Sequence, residues 1–154
     1  MSGRSGVLAI CIAAIALSVG ACRNLDVVTE AYATLAEAQT AGAVDRGWLP
    51  RNLPPGTREL RVAHDLDSTR RWGLFNFPPA EADALRAIIG SEIPLDGLEC
   101  NPPGRIEWWP VQLRKQLNGE RLKAAGLQGY AAKESDLVFV VNWAQGRAYY
   151  WTRE

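Results

Sequence analysis

The feature that most constrains the fold of this 154-residue chain is an apolar run near its C-terminus, Leu137–Trp143. Both alternating faces of the run are apolar, which is typical of a strand buried at the centre of a sheet. A two-residue turn at 145–146 follows, and residues 147–152 return as a second strand. We therefore expect a hairpin in which Val141 lies opposite Tyr150.

The rest of the chain alternates between strand-like and helix-like patterns. Predicted strands are 60–66, 71–77, 106–109 and 127–133, and predicted helices are 31–41, 78–89, 110–117 and 120–125. Thr34-Leu35-Ala36-Glu37 matches a capping box, which requires the first helix to begin late, at Thr34. This order predicts a single small α+β domain, with a mainly antiparallel sheet of about four to six strands and two or more helices packed on one face.

The first 21 residues have the layout of a secretory signal peptide. Arg4 is the only charged side chain before an apolar run from Val7 to Ser18, and small residues follow it. This run of 12 residues is too short for a transmembrane helix, which needs about 20 apolar residues. We therefore expect residues 1–21 to be removed when the chain is exported.

The end of this segment, Val19-Gly20-Ala21-Cys22, resembles the lipobox of bacterial lipoprotein signal peptides. The resemblance implies cleavage between Ala21 and Cys22, and then a thioether-linked diacylglycerol and an N-acyl chain, such as palmitate, on the cysteine. Two or more acyl chains hold a protein stably on a membrane. By analogy with lipoprotein sorting, Arg23 after the cysteine favours the periplasmic side of the outer membrane, if the host has one.

The chain that remains after cleavage suits one domain, with residues 22–30 as a lipidated tether and 31–154 as the globular part. The whole sequence has 17 basic and 17 acidic residues, so its charge gives no reason to expect nucleic acid as a partner. Cys100 is the one cysteine left once Cys11 is removed and Cys22 is lipidated. An internal disulfide is therefore excluded, and we expect Cys100 to be an unreactive thiol in a loop.

One cluster has residue types that are used in catalysis, His64-Asp65-Leu66-Asp67. In a strand, His64 and Asp65 point to opposite faces, and His64 shares its face with apolar neighbours. A hydrogen-bonded core or edge histidine is therefore the preferred interpretation, with a small hydrolase using His64 and Asp65 as an alternative. We predict no catalytic residue, no metal site and no cofactor.

Six tryptophans form the other notable group. Trp48 lies in a loop rich in proline and glycine, and Trp108 and Trp109 are adjacent. Side chains of this kind can stack on a glycan or a peptide, which makes these three residues candidate ligand contacts. Core packing is the preferred interpretation, since neighbours in a strand face opposite ways and only one of an adjacent pair would be exposed.

The segments Tyr32–Ala38, Gly47–Pro50, His64–Asp67 and Tyr149–Trp151 together resemble a family of small bacterial lipoproteins with a YbbD-type head domain. The resemblance implies no particular activity and assigns no catalytic residues. Our leading hypothesis is a lipid-anchored, non-enzymatic protein of the cell envelope that acts through protein or ligand contacts. The alternatives are a glycan- or peptide-binding module that uses its tryptophans, and the small hydrolase.

Overall fold

The structure is a computed structural model that describes residues 26–154. The strands are β1 (Val27–Thr34), β2 (Arg58–Asp65), β3 (Arg71–Asn76), β4 (Ile89–Ile93), β5 (Glu99–Cys100), β6 (Lys115–Gln116), β7 (Gln128–Ala132), β8 (Leu137–Asn142) and β9 (Arg147–Thr152). The helices are α1 (Leu35–Thr40), α2 (Ala82–Ile88) and α3 (Gly119–Ala124), with single 3-10 turns at Pro79–Glu81 and Val111–Leu113.

Seven strands form one antiparallel sheet in the spatial order β1-β2-β3-β9-β8-β7-β4, and β5 pairs with β6 separately. The α+β class and the antiparallel sheet are confirmed, although the sheet has more strands than the four to six that we expected. The two strands of this sheet that we did not predict are its edges, β1 and β4. We had predicted a helix from residue 31, and we had predicted no strand between residues 90 and 105.

The β8–β9 hairpin forms as predicted, but its register is shifted. Val141 lies opposite Ala148 rather than Tyr150, because the turn has four residues, 143–146, instead of two. The Asn142 side chain stabilises this longer turn by accepting a hydrogen bond from the Gln145 amide at 3.0 Å. A shift of two residues leaves every side chain on its predicted face.

Both faces of the sheet are covered, so the protein has two apolar cores. The first core contains Leu35, Ala38, Leu49, Leu53, Leu60, Val62, Phe75, Phe77, Leu85, Phe139, Val141 and Tyr150. The second core contains Ala63, Trp72, Leu95, Cys100, Ile106, Trp109, Leu113, Leu117, Leu122, Val138, Val140 and Trp151. Helices α1 and α2 cover the first core and α3 the second, so the prediction of helices on one face was wrong.

The first helix begins at Leu35 with Thr34 as its N-cap, which is the late start that the capping box requires. The Thr34 hydroxyl accepts a hydrogen bond from the Glu37 amide at 3.2 Å, and the Glu37 carboxylate accepts one from the Ala33 amide at 2.8 Å. In a standard capping box the glutamate accepts from the amide of the N-cap residue itself, whereas here it accepts from the amide one residue earlier. Residues 31–34, which we predicted as helix, instead continue β1, so part of the predicted tether, from Val27 on, is also strand.

The segment from residue 94 to 118 covers the second core with little regular structure. Residues 106–109, predicted as a strand, form turns, and the predicted helix 110–117 is reduced to one 3-10 turn followed by β6. The prolines and glycines of this segment prevent longer elements, while its apolar side chains are drawn into the core. Among residues 26–154, no helix is long and apolar enough to cross a membrane.

Candidate functional site

The loop between α1 and β2 lies over the first core and forms one wall of a cleft. Ala43, Leu49 and Leu53 are buried, which fixes the loop to the sheet. The Tyr150 hydroxyl donates a hydrogen bond to the Trp48 carbonyl at 2.8 Å, from a ring that is fully buried in the sheet. Burial raises the pKa of Tyr150, so its hydroxyl remains a donor at every physiological pH.

We call this recess the loop cleft; its volume is about 420 Å³. The loop, the end of α2 and the β7–β8 turn surround it. Its lining is Gly47, Leu49, Pro50, Arg51, Asn52, Arg71, Ala87, Ile88, Ala132, Lys133, Glu134, Ser135, Leu137 and Phe139. The volume lies within the range of about 300–1,000 Å³ that is usual for small-molecule sites.

Arg71 is the most buried cation of the loop cleft. Its side chain is 20% exposed, and its terminal Nη2 lies 3.6 Å from the Asp136 carboxylate. Its Nε is fully buried and has no hydrogen-bond partner among the described residues. A buried donor without a partner destabilises a protein by about 1–3 kcal/mol, so such groups are usually satisfied by a water or a ligand.

Two further cations line the rim of the cleft. Arg51 is exposed, and within residues 26–154 its guanidinium makes no hydrogen bond or ion pair. Asn52 beside it adopts a left-handed backbone conformation with φ of 61°, which asparagine tolerates better than most residues. The Lys133 ammonium donates to the Ala87 carbonyl at 2.8 Å and so connects the β7–β8 turn to α2.

His64 is buried beside the cleft, on the same face of the sheet as Arg71, which is its partner in β3. The imidazole stacks on the Trp48 indole with 3.8 Å between ring centroids and an interplanar angle of 14°. The Arg46 guanidinium lies 3.8 Å from the centroid of the same indole. Since two groups at this distance cannot share one face of a ring, both faces of Trp48 are occupied.

The predicted burial of His64 is confirmed, but the predicted hydrogen bond is absent at one nitrogen. Its Nδ1 is buried without a partner in the described part of the chain. Burial lowers the pKa of His64; the carboxylate of Glu30 opposes this shift and the charge of Arg46 adds to it. Asp65 does not meet His64, because its carboxylate accepts a hydrogen bond from the Asp67 amide at 2.9 Å. The structure therefore does not assemble the acid–base pair of the hydrolase hypothesis.

The lowered pKa of His64 predicts a loss of stability at acidic pH. The unfolded chain takes up the imidazole proton near pH 6.5, whereas the folded protein resists it until a lower pH. Stability should therefore fall as the pH drops below about 6.5. We expect a shallower fall in His64→Phe, which keeps a stacking ring but does not titrate. Urea denaturation between pH 7.5 and 5 measures the free energy of unfolding of the wild type and of His64→Phe. An equal dependence on pH in the two proteins would contradict the assignment to His64.

The candidate tryptophans lie in different environments. Trp109 is buried in the second core, where its indole donates to the Leu113 carbonyl at 2.6 Å. Trp108 packs edge-on against it with 6.0 Å between ring centroids and remains half-buried. Trp108 borders an open groove of about 630 Å³ on the second face of the sheet. Of the three predicted contacts, only Trp108 therefore has a ring that a ligand could reach.

Cys100 is a buried free thiol in the short strand β5, and burial raises its pKa to about 12. Such a thiol is rarely ionised and so reacts slowly. No group of three or more His, Cys, Asp or Glu side chains suited to a metal occurs among residues 26–154. Cys22 and the cleavage site at Ala21 lie outside the described residues.

The segment that matches a known family forms one wall of the loop cleft. Residues 26–76 match the YbbD head domain. The matched segment comprises β1, α1, the loop, β2 and β3, and it includes Trp48, His64 and Arg71. The predicted resemblance is confirmed for about one third of the 154-residue chain, and the Tyr149–Trp151 segment lies beyond the match. No curated protein and no solved structure matches the chain.

Proposed function

We propose that the protein is a lipid-anchored binding module of the bacterial cell envelope that acts through contacts rather than catalysis. The loop cleft is the observation that carries the binding role. It is a preformed recess between the segment that matches the YbbD head domain and the C-terminal half of the sheet, with cations at its rim and an apolar floor. Recesses that combine an apolar lining with a few polar groups are typical of ligand sites.

The proposed anchor rests on the resemblance of residues 19–22 to a lipobox. Acylation of Cys22 would hold the domain at a membrane surface, outside the cytoplasm. Since β1 begins at Val27, only a few residues would separate the lipid from the sheet. An extended chain spans at most about 3.5 Å per residue, so the domain would lie within about 20 Å of the membrane surface.

Replacing Cys22 with serine tests the anchor. We expect Cys22→Ser to be unacylated and to leave the membrane fraction, since serine cannot form the thioether. The matched control is Cys100→Ala, which removes the buried thiol and should leave the protein membrane-bound. Fractionation with labelled palmitate measures location and acylation together. A Cys22→Ser protein that stays in the membrane fraction would favour a retained helix over a lipid.

A glycan- or peptide-binding role at the second face is the other candidate, and it rests on Trp108. The groove beside this residue is also lined by Arg61 and Arg147, which could hydrogen-bond to sugar hydroxyls. We place this candidate second because Trp48 and Trp109, the other proposed platforms, are engaged in internal packing.

A further inference from the structure

We propose that the loop cleft binds a small organic carboxylate with an apolar body, and that Arg71 is the residue that receives the carboxylate. This inference rests on the proposed binding function and names the chemical class of its ligand. It follows from three features of the cleft: the unpaired nitrogen of Arg71, the charge balance of the lining, and the apolar floor.

The unsatisfied guanidinium of Arg71 indicates that the ligand is an anion. Its Nε is buried without a partner among the described residues, and its Nη2 makes only a long contact of 3.6 Å with Asp136. A planar guanidinium binds a carboxylate through two parallel hydrogen bonds, which Nε and one terminal nitrogen can supply. A bound carboxylate would therefore give Nε the acceptor that the protein itself does not provide.

The charge balance favours a monoanion. Arg51, Arg71 and Lys133 are opposed by Glu134, which also lines the cleft, and by Asp136, which contacts Arg71. The surplus is one positive charge. A carboxylate neutralises that surplus, whereas a phosphate group, with a charge of about −1.5 to −2, would leave the cleft negative.

The floor of the cleft accounts for the apolar body of the ligand. Leu49, Ile88, Leu137 and Phe139 form it, and all belong to the first core or pack against it. A short hydrocarbon chain resting on these side chains would be removed from water, which is favourable in proportion to the area buried. The volume of about 420 Å³ is ample for such a chain.

Calorimetric titration of the folded protein with four probes tests this assignment. Hexanoate has both the carboxylate and the apolar chain. Hexanamide has the same shape without the charge, and acetate has the carboxylate without the chain. Inorganic phosphate is the other common anion. We expect hexanoate to bind at least about tenfold more tightly than each of the others, as loss of a charged hydrogen bond or of several buried methylene groups would produce.

Three arginine variants locate the site. Arg71→Gln should weaken hexanoate binding by at least about tenfold, and Arg51→Gln by a smaller factor because it lies at the exposed rim. Arg61→Gln is the matched control, since it is exposed on the opposite face of the sheet and should bind hexanoate like the wild type. Arg51 has no partner among residues 26–154, so its variant tests the site even if Arg71→Gln does not fold.

The possible failures have different meanings. Equal binding of hexanoate and hexanamide would overturn the assignment of a carboxylate but leave the cleft as a binding site. Tighter binding of phosphate would overturn the choice of a monoanion. Hexanoate binding that is unchanged in both Arg51→Gln and Arg71→Gln would overturn the location. If none of the probes binds, the assignment of a carboxylate ligand is overturned. The membrane anchor is tested separately by fractionation of Cys22→Ser.

Discussion

Replacing Gly73 with alanine is expected to lower the free energy of unfolding by about 3 kcal/mol. Gly73 lies opposite Tyr150 in the β3–β9 pair, and the tyrosine ring packs directly over its Cα. A methyl group at this position would overlap the ring atoms and the hydroxyl of Tyr150. The ring is fully buried, so it has no open space into which it could move.

The same substitution should loosen the wall of the loop cleft. Displacing Tyr150 would break the hydrogen bond from its hydroxyl to the Trp48 carbonyl, which connects the sheet to the loop. Urea denaturation measures the loss of stability, and Gly104→Ala is the control, because a methyl group there meets no atom within 4 Å. A Gly73→Ala protein within about 0.5 kcal/mol of the wild type would show that the ring is not confined as described.

Replacing Trp109 with alanine should destabilise the protein by about 3–5 kcal/mol. This residue is 2% exposed and packs edge-on against Tyr149 and Trp151, with 6.0 Å and 6.2 Å between ring centroids. It is the tryptophan of the irregular 94–118 segment that lies within the second core, whereas Trp108 only packs against that core. Its removal would leave a cavity and an unpaired Leu113 carbonyl.

Trp108→Ala is the matched control for Trp109, since the neighbouring ring is half-buried and its loss should have a clearly smaller effect. Thermal or urea unfolding compares the two variants. If Trp109→Ala were as stable as the wild type and lost binding to cell-wall fragments in a fluorescence titration, the two rings would form a ligand platform. That result would contradict our placement of Trp109 in the core.

The sequence predicted elements well where one physical signal dominates. The continuous apolar character of β8 can be satisfied only at the centre of a sheet with two covered faces. Helix propensity misled us at residues 31–34, because alanine favours a helix locally while pairing with β2 satisfies the backbone along a whole edge. The hairpin register was missed because the turn has four residues, and the Asn142 side chain that bonds to the Gln145 amide lies outside the two-residue turn that we expected.

The candidate site was harder to predict than the fold. Arg71 begins a predicted strand, where a long charged side chain is usually solvated, and the Asp136 that it contacts comes from the distant β7–β8 turn. The sequence offered one signal that could have suggested its position: His64 and Arg71 flank a short turn and must be close to each other in a hairpin. The loop cleft itself combines segments from residue 47 to 139, a juxtaposition that local patterns do not contain.

The most direct test of the proposed function is the intact mass of the protein extracted from membranes. We predict a chain that begins at Cys22 and whose mass exceeds the mass calculated from its amino-acid sequence by a diacylglyceryl group and one further acyl chain. The Cys22→Ser protein should lack this added mass and be recovered in the soluble fraction. A wild-type chain that begins at Met1, or one cleaved without added lipid, would contradict the account of a lipid-anchored module.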